Sequence, residues 1–150
     1  MYGDTHVMRR RADQMREQGV DIRTLADQLV TQTESIGWAG RAADSMRERI
    51  RERATHLRAA AAQHESAADA LDRHLQDVDA AKDTISNTER KATSMVADAR
   101  TRVARIQADN DADADSGVRR VADADDQALA GFTPPPAGHK DWLTVTLPGL

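Results

Sequence analysis

From Met8 onward, small or apolar residues recur at alternating spacings of four and three: Met8, Ala12, Met15, Gly19, Ile22, Ala26, Leu29, Thr33 and Ile36. A repeat of about 3.5 residues marks one face of a helix that packs lengthwise against another, so the spacing predicts a first helix here. Asp4 or Thr5 can cap its start by accepting hydrogen bonds from free backbone amides. Gly19 lies on the seam, where a missing side chain lets another backbone approach; the alternative is a tolerated surface glycine costing about 1 kcal/mol. The pattern stops at Gly37-Trp38-Ala39-Gly40, whose glycines can take the left-handed conformations that end a helix and turn the chain. A second seam follows through Ala43, Met46, Ile50, Arg53, Leu57, Ala60, His64, Ala67, Leu71, His74, Val78, Ala81 and Ile85, with Ala54, Ala61, Ala68 and Leu75 widening the stripe. Two seamed helices joined by the turn at 37–40 predict an antiparallel hairpin over residues 1–85.

Ser86-Asn87-Thr88-Glu89 matches a capping box, which predicts a break and a further helical segment within 86–130, carrying Ala92, Met95, Val96, Ala99, Val103 and Ile106. The alternative is one helix running on past Ile85. Pro134, Pro135 and Pro136 forbid helix beyond Gly131, so residues 131–150 read as a Pro-rich extended tail. Within it Trp142 to Leu147 alternate as a strand does. One short strand forms no sheet, so the tail either frays, docks on a partner or folds back along the helices.

Composition sharpens the architecture. Hydrophobic residues make up 39% of the chain but aromatics only 3%, and alanine dominates the apolar set, which predicts a narrow buried seam and an all-α fold. No run approaches the roughly 18 apolar residues of a membrane span, and the Arg9-Arg10-Arg11 region lacks the apolar core of a signal peptide, so any export is expected by a non-classical route. The net charge of −4 is concentrated where Asp109, Asp111, Asp113, Asp115, Asp123, Asp125 and Asp126 face only Arg119 and Arg120. Elsewhere Arg47, Arg49, Arg51 and Arg53 alternate with Glu48 and Glu52, which gives no electrostatic footprint for nucleic acid. The 18 Arg to 3 Lys, with abundant Ala and Asp, look like coding in a GC-rich genome such as an actinobacterial one.

Candidate chemistry is sparse. The run Asp109 to Gly117 has the alternating oxygens of a calcium loop, but counted from Asp111 its glycine falls seventh and position twelve is Ala122, so the expectation is a solvated acidic break. His56 and His64 stand about 12 Å apart along a helix, too far to share an ion. His64 and His74 fall on the predicted seam, where the plain reading is an imidazole bonded across the interface. Arg53 either pairs across the seam or reaches out to solvent. There is no glycine-rich phosphate loop, nucleophile elbow or pocket-forming polar cluster, so no catalytic residue, cofactor or metal is expected.

The most informative local feature is Trp38-Ala39-Gly40 between two seamed helices. It resembles the WxG turn of the WXG family of type VII secretion proteins, small helical hairpins that pair with a homologous partner and are exported as folded complexes. The resemblance spans about residues 4 to 85 and rests on the motif's position, the helix lengths and the lack of a signal peptide. It implies a protein partner, in a homodimer or in a heterodimer with a WXG-like or larger secreted protein, and a corner containing Gly37, Trp38 and Gly40 that is recognised during export. In physical terms, a tryptophan there can bury its ring across both helix ends and bond its indole N–H to a carbonyl. Members also carry a Tyr-x-x-x-Asp/Glu signal after the second helix, whereas the only tyrosine here is Tyr2. The chain is then expected to be the partner without that signal, or an escort that stays in the cytoplasm. A cytosolic coiled-coil scaffold and the helical leader module of a larger toxin or hydrolase remain the alternatives.

Overall fold

The computed structural model describes residues 4–150 and is all-α. Its helices are α1 (Thr5–Ser35), α2 (Arg41–Ala112) and α3 (Ala124–Ala130), with short 3-10 turns at Ala114–Ser116 and Lys140–Thr144; no strand occurs among the described residues. Among the described residues no helix is long and apolar enough to cross a membrane. The chain divides into two compact units, Met1–Asp77 and Val78–Leu150, and α2 contributes to both.

In the first unit α1 packs on residues 41–77 of α2 as an antiparallel hairpin. Asp4 caps α1, its Oδ1 accepting from the amides of His6 at 2.9 Å and Val7 at 3.4 Å. On α1 the buried positions are Ala12, Gly19, Ala26 and Thr33; on residues 41–77 of α2 they are Ala43, Ala54, Ala61, Ala68 and Leu75. The α1 set, and the α2 set from Ala54 onward, recur every seven residues, and both consist almost wholly of small side chains. Small residues at one position of each heptad let the two backbones approach, and Gly19 is the tightest point: a Cβ there would lie 3.1 Å from the Ala61 carbonyl oxygen. Met8, Met15, Ile22 and Leu29 on α1 and Ile50, Leu57 and Leu71 on α2 are half-buried beside this strip.

The second seam keeps the expected Ile50-Leu57-His64-Leu71 column, but its centre is the column expected only to widen the stripe. Arg53, Ala67 and His74 are exposed, Met46 is 41% exposed, and the columns are Ala54-Ala61-Ala68-Leu75 and Ile50-Leu57-His64-Leu71. Close backbone approach places the alanines at the centre and leaves the large side chains at the margins, the reverse of a seam led by bulk.

Ion pairs flank the strip and fix its register. Arg16 bonds Asp69 at 2.9 Å and also Asp72, Arg23 grips both oxygens of Glu65 at 2.8 Å, Asp27 accepts from Arg58, and Glu34 accepts from Arg51 at 3.1 Å. Positions on α2 fall as those on α1 rise, as antiparallel pairing requires. The sign also reverses midway, from Arg on α1 to acid on α1, so inverting one helix would set like charges together. Each exposed pair contributes only about 0–1 kcal/mol, so their effect lies in register more than stability.

In the second unit α2 runs through 86–89 without a break, which corrects the expected boundary. Glu89 accepts from the amide of Gly138 at 3.0 Å, and Asn87 accepts from Arg90 at 2.9 Å, so neither side chain caps a helix. A capping box works only where the preceding backbone has left the helix, and the buried Ile85, Ala92, Val96 and Ala99 continue the spacing through this point. After Ala112 the chain turns at Gly117, whose φ is +69°. Asn110 then ties the returning chain down, donating to the Arg120 carbonyl and accepting from its amide, both at 2.8 Å. The short α3 is capped by Asp123 and buries Leu129 against Val96 and Ala99.

The C-terminal segment is neither frayed nor strand-like. Lys140–Thr144 forms a 3-10 turn that buries Trp142 against Ile85 and Ala92, with Phe132, Val145, Leu147 and Leu150 around it. The prolines deny this stretch helical hydrogen bonds, and its aromatic and aliphatic side chains supply bulk that the alanine-rich face of α2 lacks.

Candidate functional site: the hairpin corner

Helix α1 gives way to extended backbone at Ile36, and α2 begins at Arg41. Gly40 has φ +107°, a conformation that a side chain would strain, and its carbonyl accepts from the Asp44 amide as α2 starts. Gly37 has no positive φ and no atom within 4 Å of a built Cβ, so the turn does not require glycine there.

Trp38 does not plug the end of the core. It is 62% exposed, and Ile36 at 39% and Met46 at 41% flank it. These side chains border a shallow depression shared with Thr33, Ala43 and Arg47. The corner is held by Arg47 instead. Its Nη2 donates to the carbonyls of Trp38 at 2.5 Å and Ile36 at 3.2 Å, while Nη1 bonds Asp44 at 3.1 Å. A planar guanidinium can hold several acceptors in one fixed geometry, so one side chain of α2 staples the Ile36–Trp38 part of the connecting loop to the start of that helix. The result is a preformed apolar knob whose backbone is fixed and whose indole is free to make contact.

The other candidate groups are dispersed. His64 is half-buried beside Gly19 with its Nδ1 unpartnered, whereas His56 and His74 are exposed. No group of three or more potential metal-binding side chains forms among the described residues. In the acidic run, Arg120 pairs with Asp113 at 3.1 Å and Asp109 at 3.9 Å. Arg102 bonds Asp126 through both carboxylate oxygens and thereby holds that carboxyl below its ordinary pKa.

Sequence reasoning missed Arg47 and undervalued Trp142. The indole N–H of Trp142 donates to the Pro136 carbonyl at 3.0 Å, and its ring meets Phe132 edge-on at 6.3 Å. An Arg nine residues after the turn tryptophan offered a signal for the staple, but the neighbouring arginines at 41, 49, 51 and 53 hid it.

No family model matches the chain, and no curated protein or solved structure matches it significantly.

Proposed function

We propose that this chain is a helix-packing interaction protein of a type VII secretion system, acting as an exported substrate, a co-secreted partner or a substrate escort. The observation that carries the reading is the corner: a tryptophan at a helix-helix turn, 62% exposed and on a backbone stapled by Arg47. A large aromatic ring held in water by a rigid loop gains most when a partner covers it, and little ordering cost remains to oppose binding. The corner also stands where the resemblance to WXG proteins places the recognised surface. The protein then leaves the cell by the type VII route, or remains in the cytoplasm if it escorts a substrate.

Fractionation of the native host tests this reading. The expected result is protein in culture filtrate that disappears when the type VII ATPase is deleted, or, for an escort, a secreted type VII substrate that co-purifies with it from lysate. Retention in lysate with no such substrate bound leaves a coiled-coil scaffold and contradicts the proposal.

A further inference from the structure

Within the Val78–Leu150 unit, α2 and the chain that returns beside it border a cavity of about 160 Å³. Thr93, Ala97 and Arg100 stand four and three residues apart, so they share one face of α2 and form one side of the cavity, where all three are exposed. Phe132 and Pro134 of the returning chain form the other side, and Trp142, 2% exposed, completes the lining. The hollow exists because Ala97 is small; a longer side chain between Thr93 and Arg100 would fill it.

Size and wall chemistry limit what fits. Apolar cavities of about 150 Å³ take up benzene, so this one has room for a single ring. Phe132 and Trp142, whose rings meet edge-on at 6.3 Å, offer aromatic surface, and aromatic pairs gain from edge and offset contacts beyond the area they bury.

Charge limits it further. Arg100 is the only charged residue in the lining. Its Nε donates to the Ala130 carbonyl at 3.2 Å and its Nη2 to the Phe132 carbonyl at 3.3 Å. The guanidinium is therefore held by the same stretch of chain that faces it across the cavity, and its Nη1 donors are not used in these bonds. Both partners are neutral, and Arg100 has no ion-pair partner among the described residues. A fixed cation without a counter-charge, at the edge of an apolar hollow, selects an anion, and its planar fork matches a carboxylate.

The geometry points to a binding site for a small aromatic carboxylate. The ring lies over Ala97 against Phe132 and Trp142, and the carboxylate meets the free edge of Arg100. The inference is independent of the secretion reading, because it concerns the Val78–Leu150 unit and not the hairpin corner. Trp142 belongs to the core with or without a ligand, whereas the residues that select the ligand, Ala97 and Arg100, are exposed and carry none of that core.

Amide NMR spectra of the full chain titrated with sodium benzoate test this. A ligand of this size binds weakly, so saturable shifts centred on the residues that line the cavity are expected with a Kd of about 0.1–10 mM. Benzyl alcohol keeps the ring but lacks the charge and is expected to bind at least about tenfold more weakly. Ala97→Leu fills the hollow from an exposed helical position, so it is expected to abolish benzoate binding while helicity by circular dichroism is unchanged. Arg100→Gln is expected to reduce benzoate to the affinity of benzyl alcohol. The inference is overturned if benzoate up to about 50 mM gives no saturable shifts, or shifts centred elsewhere. It is also overturned if the two ligands bind equally to the wild type, if Ala97→Leu binds benzoate undiminished, or if a preference for benzoate survives Arg100→Gln.

Discussion

Gly19 shows how closely stability here depends on single atoms. A Cβ would meet the Ala61 carbonyl oxygen at 3.1 Å and Glu65 Cγ at 3.2 Å, and the first of these is backbone that cannot step aside without moving α2. Leucine forms helix better than glycine, so propensity alone favours Gly19→Leu by about 1 kcal/mol, whereas overpacking costs roughly 1–3 kcal/mol or more. The net expectation is a loss of about 1–2 kcal/mol in urea unfolding; a gain would mean that the helices are not in close contact at this point. The two tryptophans offer a complementary check. With Trp38→Phe the remaining Trp142, only 2% exposed, is expected to emit at short wavelength and resist acrylamide, while with Trp142→Phe the remaining Trp38 is expected to emit as in water and quench freely. The spacing of four and three announced the small-residue role of Gly19, because on α1 the stripe has only one consistent phase. The exposure of Trp38 was not legible. A ring's burial depends on what lies across the corner, and that space is governed by Arg47, whose two carbonyl partners are nine and eleven residues away.

For α2 the seam and the cap motif made conflicting demands at 86–89. Ser86-Asn87-Thr88-Glu89 can start a helix, but a cap gains about 1 kcal/mol, whereas ending the helix there would take Ile85 and Ala92 out of register with their neighbours. Packing prevails, and helix length followed from it rather than from the local signal. Ser86 is exposed mid-helix, so Ser86→Ala is expected to leave stability unchanged or raise it by up to about 0.5 kcal/mol, as read from the melting curve; a loss near 1 kcal/mol would indicate a working cap. The half-phase error in the second seam has a related cause. Sequence gives Ala60 and Ala61, or Ala67 and Ala68, equal claim to burial, and only the ion pairs on α1 choose between them. Helix α3 is tied to α2 by Arg102 and Asp126, whose carboxyl is held below its ordinary value by the hydrogen-bonded guanidinium. A carboxyl pKa that is lower in the folded state contributes stability above its unfolded value, and that contribution disappears as pH falls through the lowered value. The Asp126 side chain followed by NMR is expected to titrate below the ordinary carboxylate range in the wild type and to move up toward it in Arg102→Ala, whereas coincident titrations would place the two groups apart.

At the scale of the whole molecule, the parts that hold the fold and the parts offered for binding are different residues. Burial is concentrated in alanines, one glycine, a few aliphatics and Trp142, while Trp38, Val118 and Val121 remain in water. The acid excess between Asp109 and Asp126 accounts for the net charge of −4 and stands apart in sequence from the arginine-rich start of α2. The all-α class and the hairpin could be read from spacing because a narrow alanine seam allows little else. The C-terminal packing could not, since its contacts join Trp142 to Ile85 and Ala92 across long stretches of chain and leave no periodic trace. This separation of roles is the central claim, and the melting temperature of Trp38→Ala tests it most directly. The account predicts a value within about 2 °C of wild type, because an indole mostly in water contributes little to folding. A fall of about 5 °C or more would contradict it and make Trp38 a structural plug of the hairpin rather than a surface kept for a partner.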